Sequence, residues 1–204
     1  MYKRQIPDDL LSSTQVAIVE NALDGSSFVS DTFQGLVKCE TYCQKSDCTF
    51  VNSVYTPCWE VMLHPPSNSL TCNLEDLWKK RWLQYQAEDW SCPKCLGNEG
   101  YHQERFASNP KILCVHLARA TSDGKGKINS HIKSFNIPHY SMIAAVEHLG
   151  NSLNSGHYIC RVCTAEGWLV LDDLRAHFST DTPENVYLAF FVYDGVGRGI
   201  VGAP

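Results

Sequence analysis

The 204-residue chain is 44% hydrophobic and 19% charged, ordinary globular proportions in a length ample for a real core. Its net charge of −5 excludes the basic footprint of a nucleic-acid binder and is compatible with a basic protein partner. No apolar run approaches the roughly 20 residues of a membrane span, and "MYKRQIPDDL" lacks the apolar core of a signal peptide, so the expected location is cytosol or nucleus, where the ten cysteines stay mostly reduced.

Along the chain, "STQVAIVENAL" (13–23) places Val16, Ala17, Val19 and Leu23 at helical spacing behind a Ser/Thr cap. "FVSDTFQGLVKCE" (28–40) reads as extended segments broken at Gly35. "CTFVNSVYTPCWEVMLHPP" (48–66) is rich in β-branched and aromatic residues, and a Pro-Pro pair stops it as a strand. "NLEDLWKKRWLQYQ" (73–86) predicts a helix with Asn73 as N-cap and Glu75 and Asp76 in its first turn. A turn-rich knuckle covers 90–100. Strands follow at 101–107 and 111–120, and their separation by "SNP" permits a hairpin. Further strands are predicted at 142–150, in "HYICRV" and in "GWLVLDD", the last two around a tight turn at Thr164–Gly167. "VYLAFFVYD" (186–194) reads as a buried central strand.

Two cysteine pairs carry metal-ligand spacing. Cys92-Pro-Lys-Cys95 is a knuckle able to chelate one ion from a single turn, and its proline pre-sets part of that turn. Cys39-x3-Cys43 lies upstream and completes a four-cysteine set, with Cys48 competing for the fourth place. Four thiolates leave no open coordination position, so a Zn2+ held there is structural. The competing reading is a set of unconnected buried thiols. Cys160-x2-Cys163 has the same spacing but sits on a strand and is discounted.

Hairpin register links His157 to a pair of aspartates. A two-residue loop at Thr164–Ala165 sets His157 opposite Asp172, and a loop two residues longer slides it to Leu174. Directly opposed Cβ atoms lie about 4.5–5.5 Å apart. A carboxylate at that reach can fix an imidazole tautomer. By spacing alone, His157 is equally a general base or a strand-end histidine near two capping aspartates.

Longer motifs surround these residues in a definite order. Gly156-His157-Tyr158, then Trp168, then Asp172-Asp173, then "YLAFFVY" resemble the histidine box of the ubiquitin-specific proteases. Phe33-Gln34-Gly35, the cysteine pairs, "PKILCVHLARA" and "GKI" resemble that family's upstream elements. The resemblance implies an α+β fold of papain-like cysteine peptidase type. It implies a thumb remnant at 1–32, β-fingers with the zinc knuckles at 33–115, a palm at 116–196 and a tail at 197–204. It implies His157 as general base, Asp172 as its orienting acid, Asp173 as an assisting neighbour, and Cys39, Cys43, Cys92 and Cys95 on Zn2+. Ubiquitin or a ubiquitin-like protein and its conjugates become the expected partners, and hydrolysis after the modifier's C-terminal glycine the expected reaction. The family's G-N-T-C-type nucleophile box has no counterpart before Phe33, Cys39 follows at x3 rather than x2 spacing, and Ala120 stands where an aromatic is expected. The expectation is therefore a C-terminal portion of a deubiquitinase, inactive by itself, with a non-catalytic ubiquitin-binding module as the alternative.

Overall fold

The computed structural model describes residues 27–195. The helix predicted at 13–23, most of the thumb remnant and the tail lie outside the described residues. Along the chain run α1 (Phe28–Phe33), β1 (Gly35–Cys43), β2 (Val51–Cys58), β3 (Val61–Leu63), β4 (Thr71–Cys72), α2 (Leu74–Arg81) and β5 (Tyr85–Gln86). Then come β6 (Gly100–Ser108), β7 (Ile112–Leu117), β8 (His131–Ile132), β9 (Tyr140–Leu149), β10 (His157–Thr164), β11 (Gly167–Asp172), β12 (Arg175–Ser179) and β13 (Val186–Tyr193). They form two compact units. One contains residues up to Trp59 together with Trp82–Lys111, the other Glu60–Arg81 together with the chain from Ile112 onward. The division thus assigns 60–81 to the second unit, whereas the sequence motifs suggested one block over 33–115.

In the first unit four antiparallel strands lie in the order β2-β1-β6-β5. β1 pairs with β2 without a break from Gly35↔Cys58 to Tyr42↔Val51. The segment 28–33, expected to be extended, is instead the short helix α1. A reciprocal cap explains it: Ser27 Oγ accepts the Ser30 N–H, and Ser30 Oγ accepts the Ser27 N–H. Local capping outweighs the β-leaning composition over this single turn and a half.

The second unit is built on a seven-stranded sheet in the order β12-β11-β10-β9-β13-β7-β3, antiparallel except for β3 alongside β7. β13 runs between β9 and β7, so its apolar run is interior, with Val186, Ala189 and Phe191 fully buried. β6 and β7 do not form the hairpin that "SNP" permitted, because they belong to different sheets. α2 ends at Arg81, earlier than its apolar pattern suggested. Beyond it Trp82 packs on Phe106 with ring centroids 5.1 Å apart, and Tyr85 and Gln86 join β6. Strand β12 has no apolar alternation: every residue from Arg175 to Phe178 is exposed, which is why it was not predicted.

Candidate functional site

The β10–β11 hairpin takes the longer of the two possible registers. Thr164 faces Gly167, Cys163 faces Trp168 and Cys160 faces Leu171. Extending this pairing would set His157 against Leu174, but β11 ends at Asp172 and turns into β12 through Asp173 and Leu174. Asp172 lies on His157's face of the sheet, two positions along, so the contact is the diagonal one available to long side chains. His157 Nε2 and Asp172 Oδ1 are 2.5 Å apart, with the side chains 44% and 39% exposed. Asp173 occupies the left-handed region at φ 49, a conformation more open to Asp than to most residues. Donor atoms of His157, Asp172 and Asp173 all lie within 4.8 Å of one another.

The Asp172 hydrogen bond raises the His157 pKa above its ordinary value; burial opposes the shift, and the charges of Asp172 and Asp173 add to it. With Asp172 ionised, Nε2–H donates to the carboxylate. The tautomer then leaves the Nδ1 lone pair free to take a proton.

On the same face, opposite Ile159, the sheet carries Glu147, only 2% exposed. Its carboxylate accepts Arg161 Nε and the amides of Glu184 and Asn185, the last two at 2.8 and 2.9 Å. This buried ion pair fastens the segment before β13 to β10, and it borders a cavity of about 530 Å3 lined also by Leu149, Asp181 and Thr182. Sequence reasoning missed it. The available signal was a carboxylate and a guanidinium on paired strands at same-face positions.

Four cysteines of the first unit form a tight quartet. Cys43 Sγ lies 3.6 Å from Cys95 Sγ, Cys48 Sγ lies 3.6 Å from Cys92 Sγ, and all four sulfurs are within 4.8 Å of one another. Tetrahedral zinc with Zn–S bonds of about 2.3 Å puts sulfurs about 3.8 Å apart, so this donor set fits such an ion. Cys43 closes β1, Cys48 sits in the loop to β2 with its N–H on the Lys45 carbonyl, and Cys92 and Cys95 occupy a knuckle closed by Cys92 N–H to Gly97 O. Cys39, expected in the quartet, is outside it. On β1 it precedes Cys43 by four residues, about 13 Å at strand rise, so the two cannot reach one ion. The fourth place belongs to Cys48.

The thiols titrate as a crowd. At Cys43 the Lys45 amide favours the thiolate, but burial and the three neighbouring thiols outweigh it and push the pKa up to about 12. At Cys92 burial opposes ionisation, yet the amides of Cys95 and Lys94 and the neighbouring thiols bring it down to about 7. Cys160 and Cys163 share β10 with His157 but do not join it. Cys160 points to the opposite sheet face, and Cys163 lies six residues along the strand, about 20 Å away.

Comparison with known proteins supplies the context for this geometry. The family model described as "Ubiquitin carboxyl-terminal hydrolase" matches residues 8–191. Ubiquitin carboxyl-terminal hydrolase 23 of Arabidopsis thaliana is 28% identical over 214 residues, covering 95% of this chain and 24% of that protein. Ubiquitin carboxyl-terminal hydrolase 46 of Caenorhabditis elegans is 24% identical over 174 residues, covering 75% of this chain and 40% of its own length. The chain therefore spans less than half the length of these curated relatives. Among solved structures, the SAGA Ubp8/Sgf11/Sus1/Sgf73 DUB module bound to ubiquitin aldehyde superposes with TM-score 0.73 at 18% identity, covering 87% of this chain and 45% of that one. The same module bound to monoubiquitin gives 0.72 at 20%, covering 88% and 46%. These likenesses are of fold, and the fold is the papain-like one of ubiquitin-specific protease catalytic domains.

Proposed function

Because the chain belongs to the ubiquitin carboxyl-terminal hydrolase family, we propose that it supplies the acid–base half of a cysteine-type deubiquitinase. The bond from His157 Nε2 to Asp172, which leaves Nδ1 available on a partly exposed ring, is the observation that carries this reading. In the proposed reaction Nδ1 takes the proton of a cysteine thiol. The thiolate attacks the carbonyl carbon of ubiquitin's C-terminal glycine. The C–N bond breaks as the imidazolium returns its proton to the leaving amine, and water, deprotonated by His157, then hydrolyses the thioester. Asp172 holds the tautomer and stabilises the imidazolium, and Asp173 adds negative potential beside it.

None of the ten cysteines matches the position of the family's nucleophile, so we assign the thiol to a residue outside this chain and expect no turnover from the 204 residues alone. Cys43, Cys48, Cys92 and Cys95 hold a structural Zn2+ in this reading, and the ion's role is to staple the knuckle to the β1–β2 loop. Ubiquitin as partner is supported by the family and by the ubiquitin-bound fold relatives. A cytosolic or nuclear setting follows from the need to keep these thiols reduced.

The test is a ubiquitin probe bearing a C-terminal electrophile, applied to the longest natural form of the protein. An adduct that disappears with His157→Ala is expected. If no adduct forms while ubiquitin still binds, the protein is a binding module rather than an enzyme. If neither adduct nor binding appears, both readings fall.

A further inference from the structure

The segment that delivers His157 is a loop, Gly150–Gly156, between β9 and β10. Its neck is pinched shut. A Cβ on Gly150, at φ +140, would lie 3.0 Å from the Gly156 Cα. A Cβ on Gly156, at φ +157, would lie 2.2 Å from His148 Nε2. The two ends of the loop therefore pass backbone against backbone, immediately before His157.

At this neck sits a side chain from far along the chain. Lys127 Nζ donates to the carbonyl of His148 at 2.9 Å and to the carbonyl of Gly150. The ammonium also lies 5.5 Å from the Tyr187 ring centroid, within cation–π range. Around it, the His148 ring lies tilted by 30° against Tyr158 at 4.5 Å and meets Tyr187 edge-on at 5.3 Å. The segment that carries Lys127 is itself anchored. Arg119, 2% exposed, donates to the carbonyls of Ile128 and Ser130 on that segment and of Val186 on β13. A rigid path thus runs from the sheet through Arg119 and Lys127 to the neck of the loop.

We propose that Lys127 is a positioning residue for His157: its ammonium gathers the two carbonyls at the loop neck and so holds the His157 ring against Asp172. The carbonyls of His148 and Gly150 both point at one spot, and a cation with several rotatable donors meets both at once. The nearby charged and titratable groups are Arg119, His148, Tyr158 and Tyr187. Burial and the Arg119 charge hold the Lys127 pKa below its ordinary value, and Lys127's charge in turn disfavours protonation of His148. This inference rests on the reading of His157 as the base, but its test needs no turnover.

The experiment follows the His157 ring by NMR titration in the chain itself. In the Lys127→Met variant the His157 midpoint should fall toward the ordinary value of about 6.5 as the Asp172 bond loosens. Amide exchange over 150–156 should rise roughly tenfold or more with loss of the charge-assisted bonds. Lys125→Met, which alters an exposed neighbour, should change neither. An unaltered His157 midpoint in folded Lys127→Met overturns the proposal. Should that variant fail to fold, Lys127→Gln keeps a donor for one carbonyl and is read the same way. Loss of the fold in both variants also overturns it, because a local clamp leaves the seven-stranded sheet standing. Failure here leaves the probe reaction and its His157 dependence untouched, so the two readings fall separately.

Discussion

With Nε2 committed to Asp172, His157 keeps one ring nitrogen, Nδ1, outside that bond. Asp172 also makes the proton harder to release, because the His157 pKa stands above its usual value. Spacing had narrowed the partner of His157 to two registers. The choice between them depended on the turn, since Gly167 at φ +117 lets the chain reverse through Ala165 and Glu166. The cysteine quartet turned on one residue in the same way. Cys39 and Cys43 looked like a pair in the linear sequence, but strand geometry separates them by about 13 Å. Cys48 comes in from a loop whose path spacing could not trace. Metal analysis should therefore give about one zinc per chain for wild type and for Cys39→Ser, and substantially less for Cys48→Ser. Zinc loss on Cys39→Ser with retention in Cys48→Ser would restore the original assignment.

Among the elements, β9 and β10 are joined by more than their ladder. Glu147 and Arg161 form an ion pair on paired strands, and the Glu147 carboxylate also takes two amides from the segment before β13. Truncating Glu147 leaves the Arg161 guanidinium, 15% exposed, without its carboxylate partner. Glu147→Ala should cost about 3 kcal/mol of stability by urea denaturation at neutral pH, and Glu147→Gln, which keeps an acceptor for the amides, distinctly less. A cost below 1 kcal/mol, as for a surface pair, would show the pair to be ornamental. The long apolar strands β7, β9 and β13 were legible because burial writes alternating or continuous hydrophobicity into the chain. Helix α1 and strand β12 were not, for different reasons. α1 is set by a serine–serine cap with no apolar period, and β12 is an exposed edge whose pairing with β11 carries no burial signal.

For the whole molecule, two histidines give pH dependence of opposite sign. His148 is buried, and burial first and the Lys127 charge second hold its pKa below the unfolded value. Its contribution to stability is present above about pH 6.5 and is lost as pH falls through the lowered folded value. His157 has a raised folded pKa, so its contribution is present below about 6.5 and is lost as pH rises through that raised value. His148→Asn should flatten the loss of stability on mild acidification, measured by denaturant melts at a series of pH values, and His157→Ala should not. An unchanged acid limb in His148→Asn would remove His148 from the account. The sequence by itself determined the order of the motifs, the family they resemble, the two candidate registers that bring His157 near Asp172 and the presence of a cysteine knuckle, because these depend on residue type and short spacing. Tertiary structure alone decided that Cys48 completes the quartet, that Asp172 meets His157 on a diagonal, and that Lys127 closes the loop behind it. Each of these contacts joins residues brought together by strand register or loop path, and neither is written in the local pattern of the chain.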